Sequence, residues 1–100
     1  MSNPIDEPKA EIVGYDFGRS VKVTPENERR IYLTEITVRS AFAAVLTVAS
    51  PKNKIKFSLS MQAQEIVDKN WMRGLPGAQD KPMFIETTQD AEINYCAVEA

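Results

Sequence analysis

The chain has 100 residues, of which 43% are hydrophobic and 26% charged, and these values predict a single globular domain rather than a disordered or fibrous protein. With 12 basic and 14 acidic side chains, a formal net charge of -2 and no bilayer-length apolar run, the chain is expected to bind neither nucleic acid nor a membrane. Cys96 is the only cysteine and there is no histidine, so the sequence predicts no disulfide and no thiol catalysis.

Residues 1–10 are predicted to form an extended N-terminal arm, which precedes a β-sandwich domain over residues 11–100. The arm contains Pro4 and Pro8 and has no periodicity that would fix it to a core. Two interpretations stay open. The arm is either a frayed terminus or a segment that becomes ordered on a partner and contacts it through Ile5.

The first part of the domain carries β-strand signals. The segments EIVGY and SVKVT are rich in β-branched and aromatic residues, and Gly14 and Gly18 stand where a bend or bulge is easily accommodated. The segment PENE, residues 25–28, has the composition of a turn. We therefore expect two early strands and a turn, followed by a long strand in RRIYLTEITVRS.

The run RRIYLTEITVRS changes the parity of its apolar residues halfway along. Ile31 and Leu33 occupy odd positions, whereas Ile36 and Val38 occupy even positions. Because one extra residue reverses the alternation of a strand, a bulge at residues 34–35 would place all four side chains on one face. A strand that is buried on both faces is the alternative.

The segments FAAVLTVAS and KIKFSLSM are predicted to pair as a hairpin through the turn SPKN, residues 50–53. The first is expected to be a central strand, because its side chains are small and apolar. In the second, every other residue is apolar, so one face should contact the core and the other should present Lys54 and Lys56. A solvated face or a protected sheet edge explains these lysines, and phosphate binding is the alternative.

The segment QAQEIVDKNWM is the only one in which apolar residues have a helix-like spacing, and we predict a single turn or a crossing between sheets rather than a full helix. A loop, GLPGAQDKP, is predicted to follow, with Pro76 and Gly77 in a turn. Trp71 lies beside Met72 in this polar context. It either packs under its own loop or serves as an intermolecular anchor.

The segments PMFIETT and AEINYCAVEA are predicted to form a closing hairpin around TQD, residues 88–90. Three acidic residues near this turn, Glu86, Asp90 and Glu92, lack the spacing of a calcium loop, so no metal site is predicted. The elements together predict an all-β fold, an antiparallel β-sandwich that is jelly-roll-like and has seven to eight short strands. An immunoglobulin-like sandwich would show the same alternation and stays open.

The order of several segments is similar to that of a known group of proteins. The segments are VKVTPENERRIYLTEITVRS, AAVLTVAS, GLPG and KPMFIETTQDAEINYCAVE, over about residues 20–98. They resemble the small β-sandwich structural proteins of tailed bacteriophages. The residues that carry the likeness are Arg30, Tyr32, Leu33, Thr34, Ile36, Val38, Pro82, Thr87, Ala91 and Ile93. The resemblance implies a jelly-roll-like virion protein, often trimeric, but these are framework positions and no functional residue follows from them.

We therefore expect a non-enzymatic virion structural protein, made in the host cytoplasm, that acts as a capsid decoration or cement protein and stabilises the shell by binding across capsid subunits. The expected partners are the major capsid protein or another virion protein, with a homotrimer as the expected oligomer, and no cofactor is expected. The residues expected at the partner interface are Ile5, Trp71, Met72, Leu75, Lys54 and Lys56. The alternative is a carbohydrate- or receptor-binding module of a phage tail or spike, which surface aromatic residues would favour.

Overall fold

The computed structural model describes residues 10–100. The strands are β1 (Ala10–Val23), β2 (Ile31–Ser40), β3 (Ala44–Ala49), β4 (Ile55–Met61), β5 (Ile66–Pro76) and β6 (Met83–Glu99). Every pairing is antiparallel, so the all-β antiparallel prediction is confirmed. The described residues form six strands, several of them long, where seven to eight short strands were predicted. They include no helix that could cross a membrane.

Strand β6 organises the sheet. On one edge it is followed along its length by β1, and on the other edge it pairs first with β3 and then with β2. Strand β4 lies beyond β3 and β5 lies beyond β2, which gives the order β4-β3-β6-β2-β5 with β1 on the far side of β6. Within the described part of the chain, β1, β4 and β5 are therefore the edge strands.

The predicted closing hairpin is wrong, because PMFIETT and AEINYCAVEA belong to the single strand β6. The turn-like residues between them form an irregularity within that strand. Gly18 on β1 lies opposite Ala91, and Ser20 lies opposite Glu86, so a short stretch of β1 faces a longer stretch of β6. The register therefore shifts next to Gly18, where a bend or bulge was expected, but the extra residues belong to β6. The prediction of two early strands is wrong, because EIVGY and residues 20–23 of SVKVT both belong to β1.

Side-chain hydrogen bonds stabilise this irregular part of β6. The hydroxyl of Ser40 donates to the carbonyl oxygen of Asp90 at 3.0 Å, and the backbone N–H of Val45 donates to the hydroxyl oxygen of Thr88 at 2.9 Å. These bonds satisfy backbone groups where β6 changes partner from β3 to β2. The polar residues that suggested a turn therefore allow one continuous strand to bend.

The bulge predicted in β2 is confirmed. Leu33 lies opposite Ala97 and Glu35 lies opposite Cys96, so one extra residue, Thr34, is inserted in β2. The hydroxyl of Thr34 donates to the carbonyl oxygen of Cys96 at 3.0 Å. As a result the four aliphatic residues of this strand are fully buried on the same face: Ile31, Leu33, Ile36 and Val38.

The predicted hairpin of β3 and β4 is also confirmed, and β3 is an internal strand. The apolar face of β4 is covered only in part: Met61 is buried, Phe57 is half-buried, and Ile55 and Leu59 are exposed. The reason is that β4 is an edge strand, so no neighbour covers its outer side. The sheet curls so that the rings of Phe57 on β4 and Trp71 on β5 meet edge to face, with centroids 5.3 Å apart.

Candidate interaction surfaces

The predicted interface residues that the structure describes lie on two edge strands or directly beside them. Trp71, Met72 and Leu75 belong to β5, Lys56 belongs to β4, and Lys54 immediately precedes β4. Ile5 lies outside the described residues. In the segment with a helix-like spacing, residues 62–65 form the predicted single turn, in which the backbone N–H of Glu65 donates to the carbonyl oxygen of Gln62 at 3.2 Å. From Ile66 onward the segment belongs to strand β5, which pairs with β2 and buries Val67.

Strand β5 carries a bulge that projects Met72 from the sheet. Asn70 lies opposite Glu35, and Leu75 lies opposite Leu33, so β5 advances five residues where β2 advances two. Gly74, with a φ of 80°, permits this detour. We refer to residues 71–74 as the Met72 bulge. Its methionine is 91% exposed, the highest value among the exposed large apolar residues.

The base of the Met72 bulge is fixed by packing against β4. Trp71 is half-buried in its contact with Phe57, and the ammonium group of Lys69 lies 5.7 Å from the centre of the Phe57 ring. Leu75 is also partly buried against the core. Packing within the chain thus accounts for the partial burial of the Trp71 side chain. Its role as an intermolecular anchor stays a prediction. The bulge presents Met72 to solvent beside the lysine-bearing strand β4.

A second apolar surface, which was not predicted from the sequence, lies on β1. Val13, Tyr15 and Phe17 are 70%, 61% and 62% exposed, and they share one face of the strand. We refer to these three residues as the β1 stripe. On the opposite face, the ring of Tyr95 fills the space beside Gly14 where a side chain would otherwise extend. The sequence feature that indicates this stripe is the spacing of three large apolar residues at alternate positions. That spacing alone does not show whether the face they share is covered or exposed.

An open groove of about 240 Å³ lies next to the end of the β1 stripe. Its lining residues are Phe17, Arg39, Ala41, Gln64 and Glu92. The guanidinium of Arg39 donates to the side-chain oxygen of Gln64 at 2.7 Å. The groove therefore combines an exposed aromatic ring with charged and amide groups that can form hydrogen bonds.

The acidic residues of the predicted last turn do not converge on a site. Asp90 lies 3.3 Å from the Nε atom of Arg19, and both side chains are exposed. Glu92 lines the groove described above, while Glu86 is half-buried opposite Ser20. Within residues 10–100, no group of three or more potential ligands is arranged to hold a metal ion.

Cys96 lies in β6 beside the bulge of β2. Burial raises the pKa of its thiol, and the nearby carboxylates of Glu35 and Glu11 raise this pKa further. The thiol is therefore protonated at neutral pH, which makes it a weak nucleophile. Glu35 itself accepts a hydrogen bond from the side-chain amide of Asn70 at 3.3 Å. Because this bond is exposed, Glu35 is a surface residue that flanks the bulge of β2.

Comparison of the sequence with models of known protein families gives no match, and comparison with curated proteins finds no significant similarity. The function proposed below therefore depends on the surfaces described above and on the resemblance found in the sequence.

Proposed function

We propose that this protein is a non-enzymatic virion structural protein, a capsid decoration protein that stabilises the shell by binding across capsid subunits. A protein that binds the assembled shell but not its separated subunits stabilises the shell by mass action. The resemblance to small bacteriophage structural proteins supports this class. Five of the residues that carry the resemblance are fully buried in the curled sheet, as expected of framework positions: Leu33, Ile36, Val38, Ala91 and Ile93.

The exposure of Met72 is the observation that carries the proposal. A methionine that is 91% exposed on a projecting bulge gains nothing from the core of its own chain. Methionine adapts to irregular apolar surfaces and is enriched at interfaces. The half-buried Trp71 beside it fixes the base of the bulge through its contact with Phe57. The side chain is therefore held in a position from which a partner can cover it.

Two lysines, Lys54 and Lys56, supply positive charge at the proposed interface. Lys54 is exposed and Lys56 is half-buried, and the contact between Phe57 and Trp71 brings their strand next to the Met72 bulge. An acidic surface on the shell would complement them, and such complementarity mainly fixes orientation and speeds association. Under this proposal the major capsid protein is the partner, the virion is the location, and the curled sheet is a jelly-roll-like sandwich whose edges approach each other at Phe57 and Trp71.

Particles from a host that carries the coding sequence provide the direct test. After density-gradient purification, mass spectrometry should find this chain in a copy number that rises in proportion to the major capsid protein. The Met72→Asp variant should dissociate from these particles at least tenfold faster, because it places a negative charge at the proposed apolar anchor, next to the acidic surface of the shell. Its thermal unfolding should be unchanged, since the side chain makes little contact with its own chain.

Ile66→Asp is the matched control for this substitution. Ile66 is also an exposed apolar residue of β5, but it lies at the far end of the strand from the bulge. We expect this variant to remain on the particles. The proposal fails if purified particles lack the chain, and the assignment of the Met72 bulge fails if the two variants dissociate equally fast.

The open groove favours a second candidate function, a carbohydrate-binding module. Sugars are commonly bound by an exposed aromatic ring together with hydrogen-bonding side chains, and Phe17, Arg39 and Glu92 supply these groups. A glycan array measures this directly. The candidate requires a bound glycan whose signal is lost in Phe17→Ala, and an array without any reproducible signal would exclude it for the glycans present.

A further inference from the structure

The three edge strands of the sheet differ in how well they are protected against pairing with another chain. Strand β4 carries Lys56 and follows Lys54, and β5 is interrupted by the Met72 bulge. Charged side chains and bulges of this kind discourage edge-to-edge pairing. By contrast, residues 12–18 of β1 contain no lysine, arginine or proline, and they carry the exposed β1 stripe. Within the described part of the chain, β1 pairs with β6 alone.

We propose that β1 pairs in antiparallel orientation with β1 of a second copy of this chain, about a two-fold axis at Tyr15. The two sheets would then join into one continuous sheet through their β1 edges. A two-fold interface of this kind is closed, because each copy uses the same strand and leaves no further β1 edge. The pairing is independent of the proposed decoration function, since it uses no residue of the Met72 bulge, but it shares Phe17 with the second candidate function.

The sequence of β1 is self-complementary in this register. Tyr15 lies opposite its own copy, and Val13 lies opposite Phe17 of the second copy, so the two stripes merge. At both ends of the paired segment, Glu11 of one copy is opposite Arg19 of the other. Aromatic pairs, pairs of an aromatic with a β-branched residue, and pairs of opposite charge are the cross-strand combinations that stabilise antiparallel strands. Each is used here.

The neighbouring registers are less favourable. If the axis moves to Asp16, two aspartates face each other, which is destabilising. If it moves to Gly14, Glu11 faces the aromatic ring of Phe17 and its charge is left without a partner. In the register centred on Tyr15, Asp16 faces Gly14, so no two like charges are opposed. Charge complementarity therefore favours a second copy of β1 as the strand that pairs with this edge, and it favours the register centred on Tyr15.

Engineered cysteines test this register in the full chain with Cys96 replaced by serine. Opposed residues in antiparallel strands have Cα atoms about 4.5–5.5 Å apart, within the range of about 4.4–6.8 Å that a disulfide needs. Tyr15→Cys should therefore oxidise to a covalent dimer. Val13→Cys is the matched control, because its copy would lie four residues along the strand, about 13 Å away. We expect the control to form the disulfide at least tenfold more slowly, and equal rates would overturn the register.

A charge exchange provides the second test. Sedimentation of the unmodified protein over a concentration series should show a monomer–dimer equilibrium. Glu11→Arg should weaken the dimer about tenfold because it opposes arginine to arginine at both ends, and adding Arg19→Glu to the same chain should restore dimerisation. Thermal unfolding of each variant shows whether the fold is retained. A monomer at all concentrations, a trimer, or a double variant as weak as the single one would overturn the proposal.

Discussion

Replacement of Ile93 by alanine is expected to reduce the free energy of unfolding by about 2–5 kcal/mol, the range for truncating a large aliphatic side chain in a core. Ile93 is completely buried in β6, where it lies opposite Val38 on β2 and Asp16 on β1. Both neighbouring strands are fixed by backbone pairing, so the surroundings cannot easily collapse into the space that the substitution leaves. A domain of this size is stable by only about 5–15 kcal/mol in total. Urea unfolding at 25 °C measures the difference.

Ile66→Ala is the control for Ile93→Ala because it removes the same atoms from a residue that is 65% exposed. Its free energy of unfolding should change by less than about 0.5 kcal/mol, as for most surface substitutions. If Ile93→Ala were as mild as this control, β6 would not be the centre of the core.

Gly74→Ala is expected to reduce the free energy of unfolding by about 2–4 kcal/mol, since a left-handed backbone and a steric clash each contribute about 1–2 kcal/mol or more. The φ of Gly74 is 80°, and a Cβ atom added there would lie 2.8 Å from the Cβ atom of Tyr32. Rotation of the tyrosine side chain cannot relieve this contact, because its Cβ atom is fixed by the backbone. The comparison is again made by urea unfolding.

Gly18→Ala is the matched control for this backbone effect. No heavy atom lies within 4 Å of a Cβ atom added at Gly18. The variant should be between unchanged and about 1 kcal/mol more stable, because alanine reduces the conformational freedom of the unfolded chain. Equal destabilisation by both substitutions would show that the Met72 bulge does not depend on a glycine.

Local sequence patterns predicted those parts of the fold that depend on alternation within one segment. The change of parity in β2 predicted a bulge at residues 34–35, with a strand buried on both faces as the alternative, and the register of β2 with β6 shows the bulge at Thr34. The hairpin of β3 and β4 followed in the same way from its turn residues and from alternation on both sides. In these cases the alternation of apolar residues along one segment matches the side of the strand that the tertiary structure buries.

Features that depend on distant segments were predicted incorrectly or not at all. The residues around Thr88 have the composition of a turn, but they lie within a continuous strand. There the Ser40 hydroxyl donates to the carbonyl oxygen of Asp90, and the backbone N–H of Val45 donates to the Thr88 hydroxyl. The segment around Val67 was predicted to be a single turn or a crossing between sheets, but from Ile66 onward it pairs with β2 as a strand. No local pattern contains this information, because the deciding partners lie many residues away.

The candidate surfaces show the same limit. Trp71 and Met72 were singled out by residue type, yet only the arrangement of β4 and β5 reveals that the tryptophan packs inward and the methionine projects outward. The β1 stripe could be seen as an alternation, but its exposure depends on β1 being an edge strand. A sequence pattern identifies which residues share a face of a strand, and the sheet order determines whether that face is covered.

The pairing of β1 with β6 also has a kinetic consequence. Ala10 pairs with Glu99, so β1, the first strand that the structure describes, cannot complete its pairing until β6, the last strand, is available. Contacts between residues so distant in sequence slow folding, and all-β domains rich in them fold in about milliseconds to seconds. During synthesis, β1 and its apolar residues would stay unpaired until β6 has left the ribosome. Newly made chains therefore pass through a period in which chaperones or neighbouring nascent chains can reach the strand that later forms an edge of the sheet.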